Sequence, residues 1–283
     1  MKIAVPDLIS NSYFPAVAAV ELGILEQEGL AAEISLIFPV DRAYGALRNG
    51  EVDFVAGSAH SALSAFPEWS GVKLICAQAQ GMYWFLVMRS DLRPRRNDLS
   101  IVKGRKIGAA PWVDMGLRRL LVAGGIDIVR DEVQIAPVPG ASGTTVNFGL
   151  TAALALEKGL IDGFWANGMG TEVAVRAGVG SVLLDVRRGD GPAGCFDYTM
   201  ASLATTDQKI AHDIKSVEAV VRAIVRAQET LKRDPTKAAE VGEKVFPKSE
   251  AGLIADLIRR DIPYYDARIL QASIQGMNSF CRD

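Results

Sequence analysis

The sequence predicts an α/β protein built as two βα lobes, and three observations predict it. Short apolar strands alternate with amphipathic helical stretches from the first residues. That pattern restarts near Lys106. From Asp207 onward the chain reads as helices only. Strand–helix alternation indicates a mainly parallel sheet, and a restart indicates a second lobe on the same plan.

The elements follow in order. "KIAV", from Lys2, is a short buried strand. In "YFPAVAAVELGILEQEGL" apolar residues recur at helical spacing, and Gly23 is a helix stop. "AAEISLIF" alternates and then turns apolar, as a strand does. "RAYGALRNG" is a short helix ending at Gly50. "VDFVAGS" is the next strand and "AHSALSAF" the next helix, and "VKLICAQA" and "YWFLVMRS" are further strands.

The second lobe echoes the first. "KIGAAP" at Lys106 matches "KIAVP" at Lys2. "ALEKGLIDGFWA" matches "ALRNGEVDFVAG" through the pairs Ala46/Ala155, Leu47/Leu156, Gly50/Gly159 and Asp53/Asp162. The shared device is a helix stopped by glycine, then an acidic residue opening an apolar strand. "FDYTMASLATT" is a last strand, and "SVEAVVRAIVRAQETLKRD" opens the helical tail. A strand and then helices are what a chain needs to return and complete its first lobe. Residues 1–87 with 201–283 are therefore expected to form lobe 1, and residues 88–200 lobe 2. "WFLVMRS" and "YTMASLA" are the expected hinge strands, with a cleft between the lobes.

Composition narrows the function. Hydrophobic residues make up 49% of the 283 and charged residues 23%, the balance of a globular chain. A net charge of -2 supplies no field for a polyanion, so nucleic acid is not an expected partner. Cys76, Cys195 and Cys281 are isolated and form no C-x-x-C pair. No His/Asp/Glu cluster has ligand spacing, so neither metal nor cofactor is expected. No apolar run reaches the roughly 18 residues of a membrane span. "MKIAVPD" enters a strand at once, without the shape of a leader. A periplasmic or membrane-associated site follows if a leader was removed, a cytoplasmic one if Met1 is native. A monomer is expected.

Ligands of parallel α/β sheets bind beyond the carboxyl ends of the strands, where helix N-termini gather. In the first lobe those positions hold Asn11, Ser12, Tyr13, Asp41, Ser58 and His60, with Tyr83 and Trp84 before the first crossover. In the second they hold Trp112, Asp114, Met115 and Gly116, the stretch "PGASGTT" from Pro139, then Trp165 and Asn167. Trp165 reads equally as sheet core and Trp84 as packing between lobes, yet aromatic residues recurring at strand ends describe a small-molecule cleft. Asp114 also reads as the cap of its own helix. "GSAHS" is not a nucleophile elbow. His60 therefore reads as a ligand donor or a structural cap before it reads as a catalyst. Helix starts at Ser12, His60 and Gly116 favour an anionic or strongly polar group, and the aromatic residues favour a planar body.

These residues resemble a known family. "SYFPAVAAVELGILEQEGLAAEISL" is similar to the opening of periplasmic substrate-binding proteins of ABC importers, in the branch serving sulfonates, taurine, nitrate and thiamine-pyrimidine precursors. The matching positions are Pro15, Ala18, Gly23, Glu28-Gly29 and Ile34. "GEVDFVAGSAHSAL" and "GLIDGFWAN" resemble that family's later signatures. The resemblance implies a type II periplasmic-binding-protein fold that clamps a small polar or aromatic organic molecule between lobes. It also implies a membrane permease as docking partner and no catalysis. The alternative is a cytoplasmic enzyme on the same fold, lyase-like or biosynthetic, acting on a small aromatic or carboxylate metabolite, as in the futalosine route to menaquinone. The family's pyrimidine-making enzyme carries a cysteine-rich iron motif, which this sequence lacks.

Overall fold

The computed structural model describes residues 1–141 and 147–282. Among them the strands are β1 (Lys2–Val5), β2 (Glu33–Leu36), β3 (Phe54–Ser58), β4 (Val72–Ala79), β5 (Phe85–Arg89), β6 (Lys106–Ala109), β7 (Gln134–Ala136), β8 (Gly163–Ala166), β9 (Gly180–Asp185) and β10 (Ala201–Thr206). They form two five-stranded sheets, ordered β2-β1-β3-β10-β4 and β7-β6-β8-β5-β9.

The chain divides into two compact units, 1–80 with 200–271 and 81–199 with 272–283. In the first, β1 pairs in parallel with β2 and β3, while β10 runs antiparallel between β3 and β4. In the second, β6 pairs in parallel with β7 and β8, while β5 runs antiparallel between β8 and β9. Each sheet is therefore mainly parallel, as expected, with one reversed strand, β10 or β5, that makes it mixed. A helical crossover within one unit forces parallel pairing. Both β5 and β10 follow directly on a segment of the other unit and lack that link.

The expected lobe limits differ from these units at both ends. The chain changes unit at Gln80/Gly81 and Thr199/Met200, just before the strands expected to act as hinges. Phe85 to Val87 belong to the second unit because β5 is hydrogen-bonded on both edges there, from Phe85↔Ala166 to Leu86↔Leu184. The helix Gln271–Arg282 also joins the second unit from Ala272 onward. Phe280 stacks on Tyr198 with ring centres 5.1 Å apart, and the Ser273 hydroxyl donates to Asp197 at 3.4 Å.

The helical tail of the first unit packs by periodicity. In Ile214–Arg233 the buried Val217, Val220, Ile224, Ala227 and Leu231 form one stripe. Asp213 caps that helix by accepting from the Ser216 N–H. Gln228 on the same stripe donates to the carbonyls of Ala77 and Gln78 at 3.1 and 2.9 Å, fixing the helix to β4.

Candidate functional site

In the first unit, the loop after β1 carries Ser10, Asn11 and Ser12, all essentially without solvent contact. The Ser12 N–H donates to Ser10 Oγ at 3.2 Å, which turns the loop. The Asn11 side-chain amide donates to the Asp261 carboxylate, and its backbone carbonyl accepts from the Tyr265 hydroxyl at 3.0 Å. Among the described residues, Asn11 Oδ1 and Ser12 Oγ are buried with no hydrogen-bond partner.

Tyr13 precedes the helix Phe14–Glu21 and gives it no side-chain cap. Proline at the second position lacks an N–H. The next donor, the Ala16 N–H, is taken by Gln78 Oε1 at 3.1 Å and by the Tyr13 carbonyl at 3.2 Å. Gln78 is itself anchored through Nε2 to the Ser202 carbonyl at 3.1 Å. At the helix start expected near Ser12 to attract an anion, the protein's own glutamine thus takes one N–H, that of Ala16.

Asp41 sits in the first turn of the helix Val40–Arg48, and its buried Oδ1 has no partner among the described residues. Ser58 closes β3. Its hydroxyl lies 2.6 Å from Ser61 Oγ, and its carbonyl accepts from the Tyr44 hydroxyl at 3.1 Å. The fully buried His60 has Nε2 3.5 Å from Ser61 Oγ. The segment expected as the helix "AHSALSAF" is a 3-10 turn over Ala59–Ser64, so no α-helix N-terminus forms there.

The second unit gathers the aromatic residues. Tyr83 and Trp84, read from sequence as part of the first lobe, lie in this unit beside β5. Trp84 packs on Trp165 of β8 with ring centres 5.9 Å apart, and Tyr83 on Trp84 at 4.7 Å. The Arg187 guanidinium lies 5.5 Å from the Tyr83 ring centre, within cation–π range. Gly116, in the helix Asp114–Ala123, is where Trp84 meets that helix. A Cβ there would stand 3.1 Å from Met82 Sδ and 3.2 Å from Trp84 Cζ3.

Trp165 is fully buried and donates from Nε1 to the Val113 carbonyl at 3.2 Å. Asn167 caps the helix Gly168–Arg176, accepting from the Met169 N–H at 3.1 Å. Trp112 is half-buried at φ 67°, a left-handed backbone that disfavours any side chain. With Asp114, Met115, Arg118, Ala136 and Pro137 it lines a cleft of about 360 Å³. Asp114 does not cap its helix. It is the first helical residue, and its carboxylate accepts from Arg118 Nε at 2.8 Å. In "PGASGTT", Ser142 to Thr145 lie outside the described residues.

The structure therefore brings together Asn11 with Ser12, Ser58 with His60, Tyr83 with Trp84, Gly116 and Trp165, and Trp112 with Asp114 and Met115. Sequence reading missed Asp261, Tyr265, Gln78 and Arg187. Gln78 alone carried a local signal, as a polar residue inside the apolar strand "VKLICAQA". Burial pushes the Cys76 thiol up to about 12 and the Cys195 thiol up to about 11, which keeps both protonated near neutrality. Among the described residues no group of three or more His, Cys, Asp or Glu side chains could hold a metal ion.

No family model matches this chain, and no curated protein matches its sequence. Solved structures match its fold. A protein from Bordetella bronchiseptica RB50 superposes with a TM-score of 0.76 at 20% identity, covering 99% of this chain and 88% of its own. The alkanesulfonate-binding protein SsuA from Xanthomonas axonopodis pv. citri, bound to MOPS, gives 0.70 at 16% identity over 99% of this chain and 89% of that one. The periplasmic nitrate-binding protein NrtA from Synechocystis PCC 6803 gives 0.70 at 14% identity over 92% and 69%. The fold is that of the type II periplasmic binding proteins.

Proposed function

We propose that this chain is the solute-binding protein of an ABC importer, which takes up a small polar organic molecule with a planar part and hands it to a membrane permease. The observation that carries the reading is topological. Each unit inserts one antiparallel strand, β10 or β5, into an otherwise parallel sheet, and the fold superposes on the alkanesulfonate- and nitrate-binding proteins with a TM-score of 0.70 for each. In this reading Asn11, Ser12, Tyr13, Asp41, Ser58 and His60 address the polar part of the solute. Tyr83, Trp84, Trp112, Asp114, Met115 and Gly116 address its planar body, with Trp165 and Asn167 as supports. Among the described residues no helix is long and apolar enough to cross a membrane.

The test is mass spectrometry of material released on denaturing gently purified protein, followed by calorimetric titration of the released compound. One molecule bound per chain, recovered unchanged after long incubation, supports the reading. A product that accumulates with time, and fails to accumulate with His60→Ala, overturns it in favour of an enzyme.

A further inference from the structure

We propose that the strand-end subsite of the first unit is an acceptor site, so that the solute presents an amino or ammonium group to Asn11 and Ser12. This rests on the solute-binding reading above and names the class of solute.

The argument begins with the orientation of one amide. A carboxylate only accepts hydrogen bonds, so the Asn11 group facing Asp261 must be the NH₂. Its Oδ1 then faces away from Asp261. The Tyr265 hydroxyl holds the Asn11 backbone carbonyl from the same C-terminal segment, so the residue is pinned at two points. Asn11 is 1% exposed and Ser12 0%, and neither Asn11 Oδ1 nor Ser12 Oγ has a partner among the described residues. A buried acceptor left without a donor is costly, and protein interiors avoid it. Bound solute supplies that donor.

Two further observations point to a donor. The usual source of anion affinity at such a place is a helix N-terminus with free backbone N–H groups. Here Pro15 has none to give, and the Ala16 N–H is spent on Gln78. On the adjacent strand β2, the end is followed by Asp41, whose buried Oδ1 has no partner among the described residues and is again acceptor-only. The Asn11 amide oxygen and the Asp41 carboxylate oxygen thus end both strands as acceptors, while the Ser12 hydroxyl beside Asn11 can accept or donate. Those two oxygens repel an anionic oxygen and match an ammonium or aromatic amine. An acidic group elsewhere on the same solute is compatible with this.

The experiment uses the whole chain and pairs of probes that differ in one amino group. The pairs are taurine and ethanesulfonate, 4-aminopyrimidine and pyrimidine, and tryptamine and 3-ethylindole. Binding is followed by calorimetry, and the molecule released from purified protein is identified in parallel. The amino member of a binding pair should bind at least about tenfold tighter than its partner. Asn11→Leu should abolish that preference while leaving the amine-less member unchanged. Should Asn11→Leu fail to fold, Ser12→Ala gives the same readout. Asp261 is a positioning residue. Asp261→Asn frees the amide to turn, and it should narrow the amine preference without a matching loss in the melting temperature.

Pairs that bind equally, or amine-less members that bind tighter, overturn the inference and leave the solute-binding reading intact. If no probe binds, a released molecule bearing N–H groups supports the inference and one without them overturns it. No probe bound and nothing released overturns the solute-binding reading and this inference with it.

Discussion

Asp53 and Asp162 hold equivalent positions in the two units and make the same pair of hydrogen bonds. The Asp53 carboxylate accepts from the Lys2 N–H at 2.8 Å, and its own N–H donates to the Lys2 carbonyl at 3.0 Å. Asp162 does the same with Lys106, at 2.9 and 2.8 Å. Each aspartate so ties the start of the strand that follows it, β3 or β8, to the parallel neighbour β1 or β6. The preceding helices end alike. Gly50 and Gly159 are left-handed at φ 74° and 67°, and the bonds Glu51 N–H to Ala46 and Leu160 N–H to Ala155 close matching Schellman turns. The four matched sequence pairs are thus one structural device used in both units.

The device has a pH signature. Burial pushes the Asp53 carboxyl up, but the Lys2 N–H and the Lys209 ammonium 3.2 Å away outweigh it, and the net shift is below its ordinary 3.8. A depressed folded value means a stabilising contribution that is present above 3.8 and lost as pH falls through the folded value. Asp53→Asn should therefore lower unfolding free energy by about 1 kcal/mol near neutrality, a half-exposed pair being worth little more. Urea melts across an acid series should bring wild type and variant together. A gap that stays constant into strong acid would mean that the carboxylate charge does not matter.

A second expectation concerns the helices Phe148–Glu157 and Gly168–Arg176. They touch backbone to backbone, and a Cβ on Gly170 would lie 2.5 Å from the Gly149 carbonyl oxygen. On Gly149 the nearest atom would be 3.1 Å away, at the Gly170 Cα. Gly170→Ala should cost about 1–3 kcal/mol or more, and Gly149→Ala less. At Gly252 a Cβ meets nothing within 4 Å, so Gly252→Ala should be neutral or stabilise slightly. Thermal melts of the three variants check the ranking, and equal losses would contradict the close approach.

Much of this was legible because it is local. Strand and helix periodicity, the glycine stops and the Asp53/Asp162 echo each lie within a dozen residues. What escaped is set by distant partners. The strand β5 has the same apolar character whichever sheet receives it, so "YWFLVMRS" could not reveal that Tyr83 and Trp84 belong to the second unit. Phe280 and Ser273 find Tyr198 and Asp197, a pairing that no helical period encodes. The hold of Asp261 on Asn11 spans 250 residues and leaves no local mark. The grip of Gln78 on the Ala16 N–H escaped for a related reason, since it reaches the helix start from another strand.

Trp165 should behave as a support. It is fully buried, and Trp165→Ala should cost about 3–5 kcal/mol of stability. Trp165→Phe keeps most of the apolar area but leaves the Val113 carbonyl without the indole N–H, a loss of about 1–3 kcal/mol. Affinity measured on whatever fraction remains folded should fall less than tenfold. A stable Trp165→Ala protein with lost binding would instead make the indole a direct ligand contact.

Trp112 should behave in the opposite way. Its left-handed backbone at φ 67° costs a side-chain-bearing residue about 1–2 kcal/mol, and only glycine escapes that penalty. The indole is half-buried at the edge of a cleft, so its removal forfeits only part of its packing. Trp112→Gly should therefore melt no lower than Trp112→Ala, and about 1 kcal/mol of relieved strain should favour the glycine variant. If the indole covers the planar part of the solute, both variants lose the contact, worth roughly 1.5–3 kcal/mol. That corresponds to an affinity loss of about ten- to a hundredfold for the compound released from the wild-type protein. Melting curves and calorimetric titrations on the two variants test both halves of the expectation. Should both melt several kcal/mol below wild type while binding normally, Trp112 is packing, and its backbone strain serves the fold and not the solute.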